Sequence, residues 1–170
     1  MDAAGGITYG AKVDEVEIIG EIDGEGVCVM DIPAIRCLEC EIKNEVTELI
    51  GLNAAFEEFL ESQGIQGIVI FTAEMVLEEV LTNVIKYAYR DGNSHTISVR
   101  FMRESDALII EVEDDGVEFD PVQAPAPDVS APLEERPIGG LGIFLVKKES
   151  KEVSYRRHAD RNILRVVLAL

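Results

Sequence analysis

The chain has 170 residues, 47% of them hydrophobic and 28% charged, with 33 acidic against 15 basic side chains and a net charge of −18. That composition gives one globular domain with an ample core, with room for a small added element. A surface this acidic repels nucleic acid and anionic membranes and suits a basic protein partner. No apolar run approaches the ~18 residues of a membrane span. The first ten residues, MDAAGGITYG, carry neither a basic region nor an apolar stretch, so no signal peptide and a cytoplasmic location are expected.

Residues 1–12 are rich in Gly and Ala and are expected to be loose. Residues 13–19 and 27–32 read as two short strands, with turn chemistry over 22–26 and Pro33 ending the hairpin. Cys37 and Cys40 have zinc-like spacing, but with Cys28 the chain holds only three cysteines and no second pair, which fits free thiols. Residues 41–43 form a further short strand. Asn44 is placed to cap a helix whose stripe of Val46, Leu49, Ile50, Phe56, Phe59 and Leu60 runs to Gln63, with Gly64 just past its end.

Residues 65–72 are ambiguous. Ile68 to Phe71 have strand composition and Thr72 could cap the next helix, yet the apolar stripe also extends back to Ile68. The helix itself has two faces. Leu77, Val80, Leu81, Val84, Ile85 and Ala88 form one apolar stripe, and Glu79, Asn83 and Lys86 stack at i, i+4 and i+7 on the other side. A carboxylate, a carboxamide and an amine in that order suit a metal–phosphate ligand, although charged residues on an outer face are often only solvated. Two alternating strands follow, with Ile97, Val99 and Phe101 on one face and Leu108, Ile110 and Val112 on another. Residues 103–106 join them as a hairpin.

The second strand runs into Asp114, Asp115 and Gly116. Residues 120–137 then hold five of the six prolines. So long a proline-rich stretch is either disordered or a functional lid, and motif glycines at both ends favour a lid over residues 119–139. Gly139, Gly140, Leu141 and Gly142 open a short helix over 143–147. A glycine turn at a helix N-terminus exposes N–H groups where phosphate binds. Strands over 152–157 and 163–169, joined by a turn at 159–162, end the chain. Hairpin-paired strands that do not alternate with helices predict an α+β two-layer sandwich rather than a doubly wound sheet.

With its motifs in view, the chain resembles the GHKL (Bergerat) ATP-binding superfamily of gyrase, histidine kinases and MutL. Glu79, Asn83, Lys86 and Tyr87 look like its N-box, Asp114 to Gly116 like the D-x-G box, and Gly140, Leu141 and Gly142 like the G-x-G box. Within that superfamily, EEVLTN, DDGVEFDP and ERPIGGLGIFLV are similar to bacterial anti-sigma factors with serine kinase activity, of the RsbW and SpoIIAB type. The resemblance covers residues 42–170. It implies a mixed, mainly antiparallel sheet covered by helices on one face, a domain over 41–170, and one long helix starting near Gly67. Residues 1–40 lie outside it and are expected to add a β-hairpin that covers a sheet edge or contributes to a homodimer.

The resemblance also implies roles. Asn83 would ligate Mg²⁺, and Glu79 would be the general base on a substrate serine. Asp114 would accept from the adenine amino group, with Gly116 allowing close approach of the base. Gly140, Leu141 and Gly142 would meet the ATP phosphates, and Lys86 would lie on the phosphate side. Arg136 would reach the γ-phosphate, although its spacing to Gly140 is longer than in the SpoIIAB pattern. The implied partners are a sigma factor and a STAS-type anti-sigma factor antagonist, with no direct nucleic acid and no membrane. Three functions compete: such a kinase, an ATP-gated binding module of the same fold without kinase activity, and a detached histidine-kinase catalytic domain. Neither His95 nor His158 sits on a convincing dimerisation helix, which disfavours the third.

Overall fold

Period-2 alternation in the strands and period-3.6 stripes in two long helices each leave one apolar face, and the fold buries these faces against each other. The structure is a computed structural model that describes residues 7–13, 16–22, 37–124 and 141–170. In chain order the elements are β1 (Ile7–Val13), β2 (Val16–Ile22), β3 (Cys37–Lys43), α1 (Glu48–Ser62), α2 (Ile68–Tyr87), β4 (Thr96–Glu104), β5 (Ala107–Asp114), α3 (Leu141–Glu149), β6 (Glu152–His158) and β7 (Arg161–Ala169). The strands form one sheet in the order β2-β1-β3-β4-β5-β7-β6. Every described pairing is antiparallel, in keeping with the mainly antiparallel sheet expected.

The helices cover one face of this sheet. Phe56 of α1 stacks on Phe101 of β4 with ring centroids 4.3 Å apart. Leu52 and Leu60 of α1 and Ala73, Val76, Leu77 and Leu81 of α2 are fully buried in the same cluster as Ile97, Val99, Leu108, Ile110 and Val112. The β4–β5 register sets Val99 opposite Val112 and Phe101 opposite Ile110, so the two predicted faces are one face of one sheet. Each large side chain buried this way contributes about 1.5–3 kcal/mol. Ala107, Ile109 and Val167 form a small second cluster.

The helix ends show where local sequence decides and where it does not. Gly64 sits at φ +66°, its N–H bonded to Glu61 O and the N–H of Ile65 bonded to Leu60 O, a paired closure that only a left-handed residue permits cheaply. Asn44 does not cap α1; Thr47 stands at the N-cap without a side-chain bond. Asn44 instead accepts from the His95 N–H at 2.9 Å and donates to Asn93 O at 3.1 Å, tying β3 to the approach of β4. α2 runs unbroken for 20 residues from Ile68. Thr72 lies inside it, its hydroxyl donating to Ile68 O at 3.2 Å.

The N-terminal strands differ from those expected. Residues 7–12 are part of β1 rather than loose, and β2 spans Val16–Ile22; the expected strand over 27–32 lies outside the described residues. β1 pairs with β3, so the hairpin extends the sheet beyond that strand. β6 and β7 turn at Ala159 and Asp160, both at positive φ, which places Asn162 within β7 and not in the turn. Cys37 and Cys40 are three residues apart on one strand, which sends their side chains to opposite faces. Burial pushes the Cys40 thiol up to about 12. Among the described residues no group of three or more acidic, His or Cys side chains could hold a metal ion, and no helix is long and apolar enough to cross a membrane.

Candidate functional site

The second half of α2, the end of β5, the loop after it, α3 and strands β6 and β7 enclose a cavity of about 530 Å³. That size suits a drug-sized or cofactor-sized ligand. Val80, Val84, Ile143, Phe144 and Leu164 supply apolar wall, and Asn83, Asp114, Lys147 and Asn162 supply polar groups.

One end is built around Asp114, the last residue of β5 and only 4% exposed. Its Oδ1 accepts from the Gly116 N–H at 2.8 Å and from Asn162 Nδ2 at 2.9 Å. Burial pushes this carboxyl up, the bonds from Asn162 and Gly116 pull it down, and Asp115 pushes it up again; the net direction is upward. With Oδ1 taken, Oδ2 is left to accept from an amino group inside the cavity. Gly116 lies so close to the end of α2 that a Cβ there would stand 2.5 Å from Ala88 Cβ and 2.7 Å from Ala88 O. The Val117 N–H bonds Ala88 O at 2.9 Å and holds that approach.

Asn162 organises this end from the neighbouring strand. β5 and β7 pair Asp114 directly with Asn162. Besides Asp114, its Nδ2 reaches Val117 O at 3.0 Å, while its Oδ1 accepts from Tyr155 Oη at 2.8 Å and Arg157 at 2.7 Å. Sequence reading missed Asn162 by assigning it to a turn. The signal that finds it is cross-strand register, which a single sequence does not display.

At the other end, Asn83 lines the cavity and its Nδ2 donates to Glu79 O at 2.6 Å. This leaves the amide oxygen, the atom a cation would use. Glu79 is half-buried one turn earlier and lies against α3: a Cβ on Gly142 would overlap the Glu79 carboxylate. Gly142 therefore permits the first turn of α3 to dock on α2. Leu141 is 49% exposed beside it. Lys86 is exposed and does not line the cavity. The lysine that does is Lys147 of α3, missed from sequence, whose Nζ donates to Val122 O at 2.6 Å and Ala124 O at 3.3 Å. Arg136 and Gly140, and residues 125–139 of the expected lid, lie outside the described residues.

An antiparallel sheet under helices, with an Asp-x-Gly turn and an Asn-bearing helix facing one cavity, defines an ATPase-type domain of the GHKL class. Residues 42–168 match the histidine kinase-like ATPase domain family, and the chain belongs to that family. It is similar to the serine/threonine-protein kinase BtrW of Bordetella bronchiseptica, 27% identical over 94 residues that cover 55% of this chain and 66% of the relative. It is also similar to the serine-protein kinase RsbW of Listeria monocytogenes, 33% identical over 44% of this chain and 50% of the relative. RsbW of Bacillus cereus is 32% identical over 54% of this chain and 59% of the relative. The chain thus matches half to two thirds of the length of these relatives.

Proposed function

We propose that this chain is an ATP-dependent protein-serine kinase that phosphorylates a STAS-type anti-sigma factor antagonist and also sequesters a sigma factor. The observation that carries the reading is the single helix α2 presenting Asn83 to the cavity and Glu79 to the α3 junction beside it. The cavity fits adenine nucleotide chemistry: a buried carboxylate with one free oxygen faces it, and Gly116 leaves no room for a side chain that would block the base. Asp114 accepts from the adenine amino group. Gly140, Leu141 and Gly142 are assigned to the phosphates through their backbone N–H groups, and Arg136 is assigned to the γ-phosphate. Lys86 is assigned to the phosphate side as well, from an exposed position at the end of α2.

Asn83 would hold Mg²⁺, which when bound neutralises phosphate charge. Glu79 takes the proton of the substrate serine as its oxygen bonds to the γ-phosphorus; the bond to the β-phosphate oxygen breaks and ADP leaves. The similarity to BtrW and RsbW, a serine/threonine-protein kinase and a serine-protein kinase, supports this reading. Residues 1–40 are assigned as an extension that covers a sheet edge or contributes to a homodimer. Light scattering on a chain lacking residues 1–33 tests the dimer, and an unchanged mass removes it.

One observation favours a second reading, an ATP-gated binding module without kinase activity. Glu79 is packed on Gly142 and is not part of the cavity wall, a place suited to a strut. Labelled ATP and candidate antagonist proteins separate the two. Under the kinase reading Glu79→Gln binds ATP as the parent does and loses about 10²–10⁴-fold of phosphotransfer. The exposed Glu78, about 100° away around the helix, matters far less when changed to Gln. A parent that transfers no phosphate to any antagonist, while ATP still alters partner affinity, establishes the gated module.

A further inference from the structure

Asp115 sits between Asp114 and Gly116 but does not line the cavity. It belongs to a second cluster, centred on His95 at the approach to β4. His95 Nδ1 is 3.0 Å from Asp115 Oδ1, and its Nε2 is 3.0 and 3.1 Å from the two oxygens of Asp91. The ring stacks on Tyr89 with centroids 4.3 Å apart and planes inclined by 20°. The backbone N–H of His95 is held by Asn44, and Asp91 accepts from the backbone and side chain of Asn93 at 3.1 and 2.8 Å. The His95 side chain is 19% exposed.

A carboxylate only accepts, and a neutral imidazole has one N–H and one lone pair. The neutral ring would therefore set a lone pair against a carboxylate oxygen on one side. Only the imidazolium satisfies both. We propose that His95 is a positioning residue for the nucleotide site: as an imidazolium it clamps Asp115 to Asp91, fixes the Asp114–Gly116 turn against the end of α2, and on losing its proton weakens adenine nucleotide binding. The inference rests on the nucleotide reading above and adds to it a residue and a pH response.

The groups that face the ring come from two segments, Tyr89 and Asp91 from the loop after α2 and Asp115 from the loop after β5, while Asn44 from the loop after β3 holds the backbone N–H. Asp91 is held down to about 2, first by the Asn93 N–H and then by His95, so it is charged at every working pH. Tyr89 is pushed up by burial and by Asp114 and Asp115, so it stays neutral. The Asp91 bond raises His95 above its ordinary 6.5, burial offsets part of that, and Asp115 adds to the rise. A group raised on folding contributes its full stability below 6.5 and loses it as pH climbs through the higher folded value.

The test has two arms on the full chain. Without nucleotide, the His95 ring resonance is followed by NMR against pH, together with the backbone amides of Gly116 and Val117. The expected result is a His95 midpoint above 6.5, with both amides titrating at that midpoint. With Mg-ADP, calorimetry of the parent at about pH 6 and about pH 8.5 is compared with His95→Gln and His95→Arg. Relative to His95→Gln, the parent loses about three- to tenfold in affinity across that range. His95→Arg, charged throughout, keeps the affinity the parent has at the lower pH. A His95 midpoint at or below 6.5, or a His95→Gln variant that binds as tightly as the parent at about pH 6, overturns the clamp. A parent that binds no nucleotide at any pH overturns the nucleotide reading instead, and the Gly116 and Val117 titration then decides the clamp by itself.

Discussion

Gly116→Ala is the smallest substitution that tests how the base end of the site is built. The new Cβ would stand 2.5 Å from Ala88 Cβ, 2.7 Å from Ala88 O and 2.8 Å from Asp114 Oδ1. Carbon atoms in contact prefer about 3.5–4.0 Å, so the turn must retreat from α2 by roughly 1 Å. Two of the three obstacles belong to a helix end and cannot swing aside. Overpacking of this kind costs about 1–3 kcal/mol, and the Val117 N–H bond to Ala88 O, worth about 1 kcal/mol net, goes with it. The sum of roughly 2–4 kcal/mol lowers the melting temperature of a domain this size by about 5–15 °C. Since the displaced turn carries Asp114, nucleotide affinity falls by at least about 30-fold. Calorimetric unfolding and Mg-ADP titration measure both. Gly64→Ala is the control: it sits at φ +66° with nothing within 4 Å, remote from the cavity, so it loses stability through backbone strain and keeps affinity. A Gly116→Ala protein with a melting temperature within about 2 °C of the parent and affinity within about threefold refutes the close approach.

Two further predictions concern the same cavity. Asp114→Asn keeps an acceptor for Gly116 and Asn162 and removes a carboxylate that burial has raised above its ordinary 3.8. A raised carboxyl disfavours the folded state at neutral pH and recovers that loss as pH falls toward 3.8. The variant therefore melts higher than the parent at neutral pH without nucleotide, the difference shrinks in acid, and the stabilisation by Mg-ATP disappears; thermal melts with and without nucleotide at several pH values check all three. Lys147→Met removes the ammonium that bonds Val122 O and Ala124 O, a charged bond worth about 1.5–3 kcal/mol. Limited proteolysis should then cut around residues 121–124 about tenfold faster or more, and an unchanged cutting pattern removes Lys147 as the tie between α3 and that segment.

Much of the fold was legible because its cause is local. The stripes of α1 and α2 and the alternation of β4, β5 and β7 depend only on which residues face the core. Gly64 was readable because a helix end that needs positive φ asks for glycine whatever surrounds it. Long-range pairing hid the rest. Asn44 has the chemistry of a cap, but the backbone groups at Asn93 and His95, about fifty positions along the chain, compete for its side chain and win. Ile7, Tyr9, Ala11 and Val13 alternate, yet their strand exists because β3 offers an edge to pair with, and that edge is tertiary. The site divides in the same way. Glu79, Asn83, Asp114 and Gly116 stand in short motifs whose spacing is fixed by one element each. Asn162 and Lys147 act through partners on other elements, and a motif search passes over both.

The two ends of the cavity are held by different kinds of interaction, and this sets how each can respond to a ligand. At the Asp114 end, β5, β7 and the end of α2 are joined by hydrogen bonds from Gly116, Val117, Asn162, Tyr155 and Arg157, of which the two to Asp114 are buried and those from Tyr155 and Arg157 part-buried. Groups fixed this way are already placed before a ligand arrives, so binding there costs little reordering. At the Asn83 end the wall is α3, a helix of nine residues with Val146 as its buried side chain. It meets α2 through the fit of Gly142 to Glu79, and a side chain at 142 would displace the Glu79 carboxylate. Segments with few buried contacts open at lower free energy than the core they rest on. A ligand that touches only the Asp114 end therefore meets a finished surface. One that reaches α3 must also order it, and can report its own length to whatever binds there. Under the nucleotide reading, the first end of the cavity would serve recognition of the base and the second the step that depends on the phosphates.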